Sequence, residues 1–166
     1  MTLTDRYAAV VNASARALAS LQSPFMFALR AWVAWQFLKS GYLKLSSWDT
    51  TLALFADEYH VPLLPSNVAA VVGTFGELFF PALVLVGFAT RLSALGMFAV
   101  NAMAVVSYAH VLFAEGFEAA LAQHVLWGFM LVVIALYGPG ALSLDQLLLR
   151  NVRALRAPLL AQPVGI

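Results

Sequence analysis

The chain contains no cysteine, which removes disulfide frameworks, thiolate metal centres, iron–sulfur clusters and thiol catalysis together. Any redox role must therefore use a bound cofactor. Charge is scarce as well, with 9 Lys and Arg against 8 Asp and Glu in 166 residues and a formal net charge of +1. No basic run occurs beyond the C-terminal arginines, so there is no electrostatic footprint for nucleic acid. Also missing are a P-loop, a dinucleotide fingerprint, an EF-hand loop and a nucleophile–base constellation, which argues against a self-contained ATPase or hydrolase. The first 23 residues carry Asp5, Arg6, Asn12 and Arg16 at intervals. They lack the continuous apolar core of a cleaved secretory signal, and the N-terminus is expected to be kept.

What the chain has in excess is apolar side chains: 63% are hydrophobic and 10% charged, with a mean hydropathy of +0.87. A globular domain is about half apolar and a quarter charged. Apolar stretches run past the roughly 18 residues at which a membrane span becomes the default reading. The expected fold is all-α: an integral membrane four-helix bundle with cytoplasmic termini and flanking amphipathic interfacial helices. Its spans fall at about 24–45, 68–88, 92–113 and 121–137, within a domain at 24–140. Residues 1–23 form an N-terminal interfacial segment and 141–166 a basic amphipathic one. A short interfacial helix and a turn are expected between the first two spans.

Gly138-Pro139-Gly140 stops the fourth span abruptly. Ser143 then caps a new helix, with Gln146 at capping-box spacing, an apolar face at Leu147, Leu148, Val152 and Leu155, and Arg150, Arg153 and Arg156 toward anionic headgroups. Loops rich in Lys and Arg stay cytoplasmic. Arg6, Arg16, Arg91, Arg150, Arg153 and Arg156 fall on one side and Asp49, Asp57, Glu58, Glu115 and Glu118 on the other, which puts both termini inside.

Glu77 interrupts the second span roughly 13 Å deep, near the midplane of a core about 30 Å thick. A central charge costs roughly 2.5 to 3.5 kcal/mol on insertion scales, so it faces the bundle interior, pairs with a cation or takes a proton. The sequence offers Arg30 and Lys39 as cations and Asn101 as a hydrogen-bonding neighbour, with Lys44 completing an intramembrane polar cluster. Two readings stand open: a proton or quinone site, and a structural ion pair locking the first two spans.

His60, His110 and His124 all map to the outer side near the acidic residues, where a divalent metal is one reading and ordinary interfacial residues the other; no local His spacing joins them. Trp32, Trp35, Tyr42, Trp48, Tyr108, Trp127 and Tyr137 lie mostly near span ends and read as belt anchors. His124 and Trp127, three apart, share a helix face.

Between Phe27 and Asp145 several short pieces occur in order: Arg30 followed by LKSGYLKL, Glu77 in GELFFP, Gly87 and Arg91 in GFATR, and YGPGALSLD. In these the chain resembles the DoxX family of small four-helix membrane proteins, and the positions that carry over are Arg30, Gly41, Lys44, Glu77, Gly87, Arg91, Gly138, Pro139, Gly140 and Asp145. The stretch SSWDTTLALFADEYHVPLLP with HVLWG is most similar to the subgroup found beside copper-binding, ribosomally made peptides and their maturation proteins. The resemblance implies a bacterial cytoplasmic membrane location. It also implies a protein partner, either a redox enzyme in quinone-linked chemistry or a peptide-maturation protein handling copper. A purely structural scaffold is the third reading.

Overall fold

A computed structural model describes residues 2–160, with side chains through 152. The described residues form seven helices and no strand: α1 Leu3–Ser46, α2 Trp48–Asp57, α3 Ser66–Val86, α4 Thr90–Ser107, α5 Ala109–Leu112, α6 Glu118–Tyr137 and α7 Leu144–Leu160. Three of them, α3, α4 and α6, are long and apolar enough to cross a membrane.

The boundary expected at Pro24 is not a break, because α1 runs through it as one 44-residue helix. Thr2 opens that helix with a capping box: its side chain accepts from Asp5 N, and the Asp5 carboxylate accepts from Thr2 N. Two satisfied amides at the start favour helix over coil. Almost every residue of α1 before Phe25 is exposed, whereas the later half buries Met26, Arg30, Val33, Ala34, Phe37 and Gly41. Those six recur at helical spacing and define one inward face.

This face of α1 packs on α3 and α6, α3 packs on α4, and α4 on α6, so the four long helices close a circuit of contacts. The shared core holds Val33, Ala34, Phe37, Val84, Ala94, Met97, Leu131 and Ile134. Its exterior is apolar too: Val71, Phe75, Phe79, Val125, Leu126 and Phe129 are all exposed. Arg30, Thr51, Thr74, Thr90, Ser93, Asn101 and Ser107 are buried instead. Water does not tolerate an exposed apolar belt of that extent, while hydrocarbon does, so this is a membrane protein.

The short helix expected after the first span is α2, which lays Phe55 on Ala69, Ala70 and Gly73 of α3. The third span ends sooner than expected, at Ser107, and the chain turns through α5. The C-terminal helix begins as its capping residue requires, with Gln146 N donating to Ser143 Oγ at 3.2 Å. The side chains of Arg153, Leu155 and Arg156, assigned from sequence to its two faces, lie outside the described residues.

Candidate functional site: an intramembrane cavity and two end clusters

The α3–α4 turn and the α6–α7 turn lie together at one end of the molecule, and the residues with motif resemblance collect there. Arg30, fully buried, donates through Nη1 to the carbonyls of Val84 at 3.0 Å and Leu85 at 3.2 Å, and through Nη2 to that of Leu142. Val84 and Leu85 close α3, where unpaired carbonyls carry partial negative charge, so a guanidinium is held there without a carboxylate in hydrogen-bonding contact. Its Cζ also sits 5.7 Å from the Phe27 ring centroid.

Asp145 lies in the first turn of α7, where a carboxylate suits the dipole of its own helix. Its carboxylate instead accepts from Ala89 N at 2.7 Å, Thr90 N at 2.9 Å and Thr90 Oγ1 at 2.7 Å, capping α4 across the molecule. Burial alone raises its pKa, but the hydrogen bonds from Thr90 and Ala89, with Arg30 nearby, outweigh that and hold the carboxyl below its ordinary value. Arg91, read from sequence as an orientation signal, donates to the last carbonyls of α6 at Ala135, 2.9 Å, and Leu136, 2.7 Å. Gly87, at φ 74°, ends α3 in the left-handed region. A Cβ there would fall 2.4 Å from Arg30 Nη1 and 2.5 Å from Ser143 Cβ. Gly138 and Gly140, at φ 83° and 75°, turn the chain on either side of Pro139. Ser23 Oγ then accepts from Ala141 N at 3.0 Å, tying this turn to α1. Seven of the ten resemblance positions thus serve one purpose, closure of three helix ends.

Gly41, Lys44 and Glu77 lie elsewhere. Gly41 lets α1 approach α3 so closely that a Cβ would meet Leu78 Cγ at 2.8 Å. One turn further on, Lys44 Nζ donates to both carboxylate oxygens of Glu77, at 2.8 and 2.7 Å, and to Ser40 Oγ at 2.9 Å. Both side chains are 12% exposed, and this is the one salt bridge among the described residues. The expected pairing of Glu77 with Arg30 or Lys39 is therefore corrected. Arg30 is occupied at the far end, and Lys39 is exposed because it lies on the opposite face of α1. The sequence carried the signal: Arg30, Ala34, Phe37, Gly41 and Lys44 follow the 4-3-4-3 spacing of one helix face, from which Lys39 departs.

Asn101 is likewise not a neighbour of Glu77 through any hydrogen bond. Its Nδ2 donates to the backbone carbonyl of His124 at 2.9 Å, and its Oδ1 lies 2.9 Å from His124 Nδ1. His124 also meets Trp127 edge to face at 5.0 Å, and Trp127 meets Phe37 at 5.5 Å. Tyr108 and Trp127 thus turn inward, whereas Trp32, Trp35, Tyr42 and Tyr137 are exposed as belt anchors should be.

The ion pair and His124 line a single cavity of about 490 Å³, together with Gln36, Phe37, Ser40, Tyr59, Phe80, Val100, Ser107, Tyr108 and Trp127. That volume lies inside the range of about 300–1,000 Å³ typical of ligand pockets, as does an apolar lining with a few polar groups. The far end of the cavity is closed by the segment after α2. Tyr59 meets Phe55 and Tyr108 edge to face at 4.9 and 5.1 Å, and His60 N donates to Ser107 O at 2.9 Å. Burial, reinforced by Glu77, pushes the Tyr59 phenol up, so it stays a protonated donor. Sequence reasoning singled out Gln36 as a polar residue of the first span but not Ser40 or Tyr59, because their roles depend on where α2 returns.

The three histidines are divided. His60 and His110, both exposed, bring their Nδ1 atoms to 3.3 Å, while His124 is engaged with Asn101. Among the described residues no group of three or more His, Cys, Asp or Glu is placed to hold a metal ion.

A family model, DoxX, matches residues 25–111, which runs from Phe25 in α1 to within one residue of the end of α5 and includes Lys44, Glu77, Arg30 and Arg91. No curated protein and no solved structure matches the chain.

Proposed function

This chain belongs to the DoxX family, and from that premise we propose that it is an accessory protein of a bacterial cytoplasmic membrane that holds a quinone beside Lys44 and Glu77. Redox chemistry is carried out with a partner enzyme, and no catalytic step is assigned to this chain alone. The observation that carries the reading is the meeting of a hydrogen-bonded ion pair with an apolar, aromatic-lined cavity of about 490 Å³. A quinone headgroup needs polar donors within hydrocarbon surroundings, and the hydroxyls of Ser40, Tyr59 and Tyr108, which line the cavity beside the ion pair, supply them.

In this reading the later half of α1 is a fourth span. Its polar residues have internal partners that make burial in hydrocarbon affordable: carbonyls for Arg30, Glu77 for Lys44 and the Trp32 carbonyl, 3.4 Å away, for Gln36. Lys39 reaches the headgroups along its four-carbon stem. The end bearing Arg91 faces the cytoplasm, as the basic residues require.

The test is extraction of protein purified in mild detergent from its native membrane, with quinone quantified by mass spectrometry. Stoichiometric quinone that is lost in Glu77→Gln, with the fold intact, supports the reading; quinone-free wild type rejects it. A second reading, handling of a copper-binding peptide, is favoured by the paired imidazoles of His60 and His110 at the opposite end. Two imidazoles are half a typical copper site, and a peptide would supply the rest. Copper retained in the presence of a Cys- or His-rich peptide, and lost in His60→Ala with His110→Ala, would support it. Equal retention by wild type and the double variant would reject it.

A further inference from the structure

Resting on the quinone reading, we infer that His124 presents Nε2 to the cavity as a hydrogen-bond acceptor, so that the site prefers a ring bearing a free hydroxyl, a hydroquinone or phenol, over one whose oxygens cannot donate. The argument begins with Asn101, which is 5% exposed. Its Nδ2 donates to the His124 carbonyl at 2.9 Å, and a carbonyl only accepts, so the orientation of the amide is fixed. Oδ1 therefore faces the ring. The atom opposite it, His124 Nδ1 at 2.9 Å, must be the donor, because Oδ1 cannot donate.

A neutral imidazole carries one proton, and with Nδ1 protonated Nε2 keeps its lone pair. Nε2 has no hydrogen-bond partner among the described residues, and it is the remaining polar atom of a side chain that lines the cavity. Trp127 stands edge to face on the ring at 5.0 Å, which fixes its plane. Elsewhere in the cavity each Glu77 oxygen already accepts from Lys44, and the nitrogens of Gln36, Lys44 and Trp127 can only donate. His124 is therefore the cavity's available nitrogen acceptor. Asn101 and His124 lie 23 residues apart on α4 and α6, so the tautomer is set across a helix interface and not by the ring's own helix.

The test compares binding of decylhydroquinone, kept reduced under anaerobic conditions, with its dimethyl ether, which has the same ring and tail but no donor. Wild type in detergent should bind the hydroquinone about tenfold more tightly, the size of one net hydrogen bond. His124→Phe, which keeps an aromatic edge against Trp127, should bring the two affinities to within about twofold, whereas His124→Gln, which retains an acceptor, should recover part of the preference. Asn101→Leu should weaken the preference too, by freeing the tautomer, and supplies a second route if His124→Phe does not fold. A tenfold preference that persists in both His124→Phe and Asn101→Leu overturns this inference while leaving the quinone reading in place. Failure of wild type to bind either compound overturns both.

Discussion

Asp145 Oδ2 accepts from both the amide and the hydroxyl of Thr90, at 2.9 and 2.7 Å, so a carboxylate on α7 is the N-cap of α4. The residue in the N-cap position, Ala89, has no side-chain acceptor and sits at φ 43°. A helix that crosses hydrocarbon thus takes its first acceptor from a helix beyond the last span, and α7 is fastened at its root by the same contact.

The cap predicts a pH dependence. A carboxyl whose folded pKa is depressed adds stability that is complete above its unfolded value, about 3.9, and is lost as pH falls through the lower folded value. Wild type in detergent should lose thermal stability as pH is lowered below about 4. Asp145→Asn should be less stable by about 1 kcal/mol at neutral pH and should flatten that part of the profile. An unchanged profile in the variant would remove Asp145 as its source.

Gly87→Ala should be among the most damaging single substitutions. Left-handed backbone costs an L-residue about 1–2 kcal/mol, and displacing Arg30 adds roughly 1.5–3 kcal/mol for hydrogen bonds to a charged group. Gly116, at φ 90° with open space where a Cβ would stand, is the control. Gly116→Ala should show the backbone cost alone, and equal midpoints for the two variants would mean that Arg30 yields without loss.

Lys44 and Glu77 should be strongly coupled. Removing one partner of a buried pair costs about 3–5 kcal/mol because the other charge is stranded. Lys44→Met and Glu77→Gln should each lower stability by several degrees in a thermal scan, and the double variant should be closer to wild type than the sum of the two. Additive effects would show that the ion pair contributes no pairwise stability.

Because the chain has no cysteine, single introduced thiols report sidedness. Leu63→Cys, at a fully exposed position in the α2–α3 connection, should react with a membrane-impermeant maleimide in intact cells. Ser14→Cys should react only after lysis. The reverse pattern would invert the orientation.

Much of this molecule was legible in the sequence. Apolar run length and the Gly138-Pro139-Gly140 stop located α3, α4 and α6, and the spacing of Ser143 to Gln146 located the start of α7. What failed was pairing. Depth along separate spans suggested Arg30 and Lys39 as partners of Glu77, but depth ignores azimuth. On α1, Lys44 shares the inward face with Arg30, Phe37 and Gly41, and its long stem reaches Glu77 where Gly41 admits α3. Arg30 was misread for a related reason. Its acceptors are backbone carbonyls at Val84, Leu85 and Leu142, which any residue would supply and which leave no mark in the sequence. The cavity was invisible too, because it depends on α2 folding back so that Tyr59 meets Tyr108.

Arg30 is made within the first long helix, yet one of its acceptors, Leu142, is synthesised 112 residues later. At about 5–20 residues per second, that is a wait of roughly 6 to 22 s. Val84 and Leu85 are made about halfway through it, so for the second half the guanidinium has two of its three backbone acceptors. A chain released just after Tyr137 would have α3, α4 and α6 and still lack the third acceptor of Arg30, which makes the α6–α7 turn the segment that completes the surroundings of a residue in the first helix.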